Sequence, residues 1–304
     1  MDEGHKGAVM KLFFGLLVLL SSSAFAALNV GTYNIRNFDY DERARTHTDK
    51  PALQNILNDI KFDLLGVNEI NNVPEFEKFI ASKFGGYGVR LSTCGGAHGQ
   101  RLGYIYNKSK LKLLSFNEEL SITNPGTQGS CNTGTRPLAV AYFEELATGE
   151  KFYAIQAHLK AGGNPDSYNK RAKQYEIIQN FVKDLLAKGH KQIMVTGDFN
   201  TTGFNLRDSD YTRFNAMVRN AGLINLSSNI GCTAYWWGGT DDQIEDPSIL
   251  DHILVTNDFL KNKQAKTQSH GHCKQLSCRS ASPETLGVGY EGVSDHCPQT
   301  AMAR

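Results

Sequence analysis

Short apolar runs separated by turn residues recur along most of the chain. Leu28–Tyr33, Leu64–Val67, Leu102–Tyr106, Lys112–Phe116, Leu138–Phe143, Phe152–Ala157, Gln192–Val195 and Ile249–Val255 are rich in β-branched and aromatic residues and bounded by Gly, Asn, Asp or Pro. Each predicts a strand. Two longer stretches carry a helical stripe instead. Lys50–Asp59 places Leu53, Ile56 and Leu57 on one face, with Ile60 next in line. Tyr168–Lys188 does the same with Tyr175, Ile178, Phe181, Val182 and Leu185, and Gly189 follows as a stop. Strands and helices alternate in the first half, and strands dominate later. That order predicts a single α/β domain over 27–304, its sheets packed on each other and helices covering the outer faces.

The start of the chain breaks this rhythm. Lys6 and Lys11 precede an apolar run, Leu12 to Leu20, and Ala24-Phe25-Ala26 offers a small-x-small cleavage pattern. The run is shorter than the ~20 residues of a membrane span. The expectation is therefore an export leader over 1–26 and a secreted protein, periplasmic or extracellular, without stable membrane association. Six cysteines, Cys94, Cys131, Cys232, Cys273, Cys278 and Cys297, fit an oxidising compartment. Their pairing is open, with Cys273–Cys278 closing the shortest loop. Charge changes little. Lys plus Arg total 32 and Asp plus Glu 31, a net charge of +1, so any polyanionic partner must be held by local sites. A monomer is the default expectation.

The chemistry lies where the strands end. LNVGTYN ends at Asn34, DLLGVNE at Glu69, FYAIQAH at His158, and QIMVTGDFN at Asp198 and Asn200. Asp251 lies in ILDHILV, and GVSDHCP carries Asp295 and His296. Any one of these reads equally well as a turn former or cap. Together, at matching ends of neighbouring strands, they would crowd into one cleft. Burying that many acids, amides and imidazoles is costly unless they bind a cation and a charged substrate. The hard oxygen donors suit Mg²⁺, with Mn²⁺ or Ca²⁺ as alternatives. Histidines that titrate near neutrality suit proton transfer in phosphodiester cleavage.

In order, GTYNIRNF, NEI, RLGYIYN, TRPLAV, QAHLKAGG, GDFN, LDHILV and SDHCP resemble the endonuclease/exonuclease/phosphatase superfamily, typified by deoxyribonuclease I. The resemblance runs from about Ala27 to the C-terminus. It implies a four-layer α/β sandwich, with two facing mixed sheets flanked by helices and a site at one end. It implies metal-site roles for Asn34, Glu69 and Asp295, and catalytic roles for His158, Asp198, Asn200, Asp251 and His296. Arg136 matches a phosphate-contacting position, and Arg171 one on the helix after the histidine, so both are expected at the substrate. The assignment of acid and base stays open: one arrangement has His296, oriented by Asp251, activate water and His158 serve the leaving group, and metal assistance can take over either task. One departure is Gln100, where a glutamate that orients the histidine is common.

Other features admit two readings. Lys160, Lys170, Arg171 and Lys173 follow His158 and form either a phosphate-binding flank or a solvated helix face. Tyr235, Trp236 and Trp237 are either packing residues or a contact surface, and Asp241, Asp242, Glu245 and Asp246 form an acidic loop. The expected activity is metal-dependent hydrolysis of nucleic acid, DNA rather than RNA. The competing expectations are a sphingomyelinase-type phospholipase, which would show an exposed apolar hairpin, a phosphatase acting on small esters, and a toxin subunit that keeps the scaffold without turnover.

Overall fold

The computed structural model describes residues 1–2, 28–42, 45–204, 206–261 and 264–302. Apart from its first two residues, the expected leader over 1–26 lies outside them. Two six-stranded sheets form the centre. Their strands are β1 (Asn29–Phe38), β2 (Leu64–Ile70), β3 (Tyr87–Leu91), β4 (Arg101–Asn107), β5 (Leu111–Glu119), β6 (Leu138–Glu145), β7 (Lys151–His158), β8 (Ile193–Asp198), β9 (Leu223–Asn225), β10 (Asp251–Thr256), β11 (Lys266–Ser269) and β12 (Gln299–Met302). The first sheet has the order β11-β12-β1-β2-β4-β3 and the second β9-β10-β8-β7-β6-β5. All eight predicted strands are present, as are both predicted helices, α1 (Lys50–Ile60) and α3 (Pro165–Ala187). Two further helices, α2 (Val73–Lys83) and α4 (Ser209–Asn220), complete the outer layers.

The period-2 alternation of strand side chains builds the four layers. Between the sheets, Val30, Leu64 and Tyr104 meet Phe143, Phe152, Met194 and Ile253. On the far side of the first sheet, Leu65 and Val67 pack with Leu53 and Leu57 of α1 and Phe76 and Ile80 of α2. On the far side of the second, Val195 packs with Ile178 and Val182 of α3 and Phe214 of α4. The central strands are covered on both faces, which explains their near-continuous apolar runs. Asp49 starts α1 by accepting the Ala52 N–H, and Asn164 starts α3 by accepting that of Ser167.

Each sheet has one parallel pair near its centre: β1 beside β2, and β7 beside β8. Every other pairing in the two sheets is antiparallel. Parallel strands carry their C-terminal ends to the same edge. Asn34 therefore lies level with Asn68, next to Glu69, and Asp198 lies level with His158. Asp251, first residue of antiparallel β10, pairs directly with Asp198. The register alone gathers these residues at one end.

The cysteines pair as Cys94–Cys131, Cys232–Cys278 and Cys273–Cys297. Cys273–Cys278, which would close the shortest loop, is not one of these bridges. Cys273 lies in the short helix Gly271–Gln275, and Cys278 is only one irregular turn beyond it. Cys273 is fully buried against Cys297, while Cys278 joins Cys232 across the segment. Three disulfides are consistent with a secreted protein. Among the described residues, no helix is long and apolar enough to cross a membrane.

Candidate active site

Glu69 reaches the site because β2 breaks register with β4 between Val67 and Ile70. Its backbone sits at φ 62°, a left-handed conformation that costs a non-glycine residue on the order of 1 kcal/mol. The irregularity re-aims the side chain, as bulges at strand ends do. Asn34 Nδ2 donates to Glu69 Oε1 at 3.0 Å and approaches Asp198 Oδ2 at 3.2 Å, so one amide bridges both sheets. The backbone N–H of Asn37 donates to Glu69 Oε2. His158 Nε2 faces both acids, 3.5 Å from Glu69 Oε1 and 3.4 Å from Asp198 Oδ2.

Gly197, just before Asp198, must be glycine. A Cβ there would lie 2.0 Å from the Ala157 carbonyl oxygen, and its φ is +130°. Asp198 Oδ1 then accepts the backbone N–H of Asn200, which sits at φ 52°. Beneath the cluster, Gln156 ties the sheets together. Its Nε2 donates to Thr32 and Asn68, and its Oε1 accepts from Thr196. A satisfied polar layer of this kind fixes the relative placement of the two strand ends.

The opposite wall is an imidazole–carboxylate pair. His296 Nδ1 lies 2.7 Å from Asp251 Oδ2, and its Nε2 points toward Asp198 Oδ2 at 3.8 Å. Asp251 is fixed by Thr233 Oγ1, which accepts its N–H, and by Gln299, which donates to its carbonyl. Burial would depress the His296 pKa, but Asp251, Asp198 and Asp295 together hold it well above the ordinary histidine value. His158 is pushed the other way, by burial first and then by Arg136 and His296. Its Nδ1 is buried without a hydrogen-bond partner. The two histidines are thus pulled in opposite directions, His296 toward its cationic form and His158 toward its neutral form. Burial raises Glu69 above the usual carboxylate range and pushes Asp198 up to about 7.

Asp295 is half-buried and acts on Glu69 and His296 through its charge. Arg136 is buried beside Glu69 and Asp198, with Nη2 bonded to the Leu159 carbonyl. Arg171, expected at the substrate, is instead wholly buried. Its Nε and Nη2 donate to Asp210 Oδ2, and its Nη1 donates to the carbonyls of Lys160 and Gly162. With no donor group facing outward, it braces the loop that follows His158. Gln100 does not bond His158 either. It donates to Asn37 Oδ1, and so supports Glu69. Sequence reasoning missed Asn37, Gln156, Thr233 and Asp210. Asn37 lies inside the GTYNIRNF motif and was open to notice; the other three carry no local signal.

The donors fit a divalent cation. One ligand atom each from Glu69, His158 and Asp198 lie within 4.8 Å of one another. Burial holds Glu69 and Asp198 above their usual pKa even with Arg136 and His296 nearby, and a bound cation would reverse that. Carboxylate oxygens with one imidazole suit a hard or borderline ion. A cavity of about 1120 Å³ lies elsewhere, between α1 and the segment around His270–Gly289. It contains none of these residues, so the site follows from chemistry rather than from cavity size.

A family model described as the Endonuclease/Exonuclease/phosphatase family matches residues 31–296. Among solved structures, the chain is similar to a mannosyl-6-phosphatase of Bacteroides thetaiotaomicron, at 18% identity over 90% of this chain and 98% of that one, with a TM-score of 0.62. It is similar to D. rerio TDP2 complexed with a single strand DNA product, at 19% identity over 91% and 98%, TM-score 0.59. It is also similar to the human Nocturnin catalytic domain with bound sulfate, at 15% identity over 91% and 93%, TM-score 0.60. At these identities the likeness establishes the fold. Among curated proteins, no match to the sequence was found.

Proposed function

Because the chain belongs to the endonuclease/exonuclease/phosphatase family, we propose that it is a secreted, divalent-metal-dependent phosphodiesterase that hydrolyses nucleic acid, DNA in preference to RNA. The observation that carries this reading is the pairing of a cationic wall with an acidic one. The Asp251–His296 pair stands 3.8 Å from Asp198, which itself adjoins Glu69 and His158. A phosphodiester held between them meets positive charge on one side and a proton acceptor on the other.

The charges favour a different division of labour from the one drawn from sequence. Asp198, held by the Asn200 N–H and aimed at His296, is the better placed base and takes the proton of the attacking water. His296, already protonated and held by Asp251, hydrogen-bonds the phosphoryl oxygens as negative charge builds on them. Neutral His158 acts as a hydrogen-bonding or ligating group rather than as an acid. Arg136 and Asn200 contact the phosphate. Glu69, with Asn34, Asp198, Asp295 and His158 around it, holds the cation, Mg²⁺ first and Mn²⁺ or Ca²⁺ as alternatives. When bound, that ion supplies Lewis-acid stabilisation of the phosphoryl charge. DNA binding by a structural neighbour supports the nucleic-acid reading, and the three disulfides support export.

One observation favours a second reading, a phospholipid phosphodiesterase. Trp236 and Trp237 are 47% and 51% exposed, and Ala234 of the same hairpin bridges to His296. A substrate panel separates the readings: single-stranded and duplex DNA, RNA, sphingomyelin vesicles and a hexose 6-phosphate, each with Mg²⁺. The proposal expects DNA to be turned over fastest. Turnover of sphingomyelin or the sugar phosphate without turnover of either nucleic acid would replace it.

A further inference from the structure

The loop after His158 is braced from behind, and the groups it presents are basic. Arg136 Nη2 holds the carbonyl of Leu159. The next residue, Lys160, has its N–H fixed by Gln174 Oε1 and its carbonyl fixed by Arg171 Nη1. Gln174 also donates to Thr135, the neighbour of Arg136. Lys170 stands on α3 one turn before Gln174 and directly before Arg171. Arg136, Lys160 and Lys170 therefore hang on one hydrogen-bonded frame, built by a fully buried Arg171–Asp210 pair and a fully buried Gln174.

Arg136 links this frame to the reaction centre. Its charge acts on Glu69, Asp198 and His158 on one side and on Lys170 on the other. Lys170 is half-buried and also feels Lys160. Such crowding of like charge is unfavourable. Among the described residues neither lysine has an ion-pair partner, and Lys160 Nζ donates to the carbonyl of Ala161. Lysines of an ordinary solvated helix face spread apart or pair with acids at i±4. Neither of these two is paired with an acid, and both stand on the hydrogen-bonded frame that also holds the buried Arg136.

We propose that Lys160 and Lys170, linked through Arg136 to the reaction centre, form a subsite for the phosphate next to the scissile one, so that the enzyme selects substrates with consecutive phosphodiesters. This rests on the nucleolytic reading above and names its substrate class: a strand, not an isolated ester. A neighbouring phosphate neutralises the crowded cations, and the braced loop has little order left to gain on binding. Lys173, farther along α3 and exposed, lies outside the frame.

The test compares Lys160→Gln/Lys170→Gln with wild type on two substrates: a single-stranded oligonucleotide and bis(p-nitrophenyl) phosphate, which has one phosphodiester. The ratio of kcat/KM for the oligonucleotide to that for the small ester should fall about tenfold, mainly through KM. The slope of log kcat/KM against log salt should become shallower by about 0.7 per lysine. Binding of the labelled oligonucleotide in EDTA, read by fluorescence anisotropy, should weaken in parallel. Wild-type cleavage of the oligonucleotide with an unchanged ratio and salt slope in the variant would overturn the subsite alone. Wild type that turns over the small ester but no oligonucleotide would overturn the nucleolytic reading and the subsite with it.

Discussion

Asp198 and His296 face each other across 3.8 Å, yet they reach that place by different means. Asp198 ends a central strand, paired in register with β7 on one side and β10 on the other. Its support is the sandwich itself. His296 lies in an irregular stretch between the turn at Val288–Gly292 and β12. Beside it lie the Cys273–Cys297 disulfide and a small satellite core of Cys232, Tyr235, Cys273, Leu286 and Cys297, and its bonds to Asp251 and Ser294 tie it to the sheets. The sheets place Glu69, Asp198 and Asp251, and the stapled segment carries Asp295 and His296. One half of the site should therefore share the stability of the whole fold, while the other can fail locally.

The largest effect expected is loss of either wall. His296→Ala should lower kcat by on the order of 10³ and also lower the melting temperature, because it leaves the buried Asp251 carboxylate without its partner. Glu69→Gln should lose metal-dependent activity as severely, and in EDTA should melt no lower than wild type, because it removes a carboxyl that burial disfavours. Near-wild-type turnover in either variant would remove that residue from the site.

The next test separates the two means of support. Removing the cross-link with Cys273→Ser/Cys297→Ser should cost about 3 kcal/mol, given the 24 residues it spans. Activity should then fall at temperatures where circular dichroism still reports folded sheets. If activity and sheet structure melt together, the stapled segment is not a separate unit. Cys94→Ser/Cys131→Ser, whose bridge lies on the β3–β4 side of the molecule, should leave that gap between activity and melting unchanged.

Smaller, and opposite in sign, are the pH responses. Asp198 has its pKa raised in the fold to about 7. The folded state therefore holds a proton that the unfolded state releases near pH 4, and this group's contribution is lost as pH rises through 7. His272, beside the Cys273–Cys297 bridge, is pushed down to about 4, mainly by burial. The unfolded chain takes up a proton near pH 6.5 that the folded segment refuses, so this contribution is lost as pH falls from about 6.5 toward 4. In EDTA, Asp198→Asn should raise the melting temperature more at pH 8 than at pH 5. His272→Phe, set between the rings of Tyr235 and Tyr290, should flatten the acid-side decline. Parallel profiles for both variants and wild type would refute the contrast.

The same contrast explains what the sequence could show. Residues at strand ends were legible, since Asn34, Glu69, His158, Asp198 and Asp251 each follow or begin an apolar run, whereas Asp295 and His296 in the irregular stretch were legible only through the GVSDHCP motif. The outer helices α2 and α4 were not. The stripe of α2 is only Phe76, Phe79 and Ile80, with Pro74 at its start, and the buried face of α4 includes Asp210. Pairing of the cysteines depends on how an irregular segment folds back on itself, and no local pattern encodes that. Arg171 shows the converse limit. A basic residue two turns into a helix beside a catalytic loop reads as a substrate contact, and only its buried partner Asp210, 39 residues away, shows that it braces the loop from behind.

The central claim is that a metal-loaded acidic wall and a cationic His296 together cleave a nucleic-acid strand. Nicking of supercoiled plasmid by the disulfide-bonded protein, with Mg²⁺, with EDTA, and with His296→Ala, tests it most directly. The account predicts nicking that is abolished by EDTA and reduced on the order of 10³-fold in the variant. Nicking that persists in EDTA, or that is unchanged by His296→Ala, would contradict it.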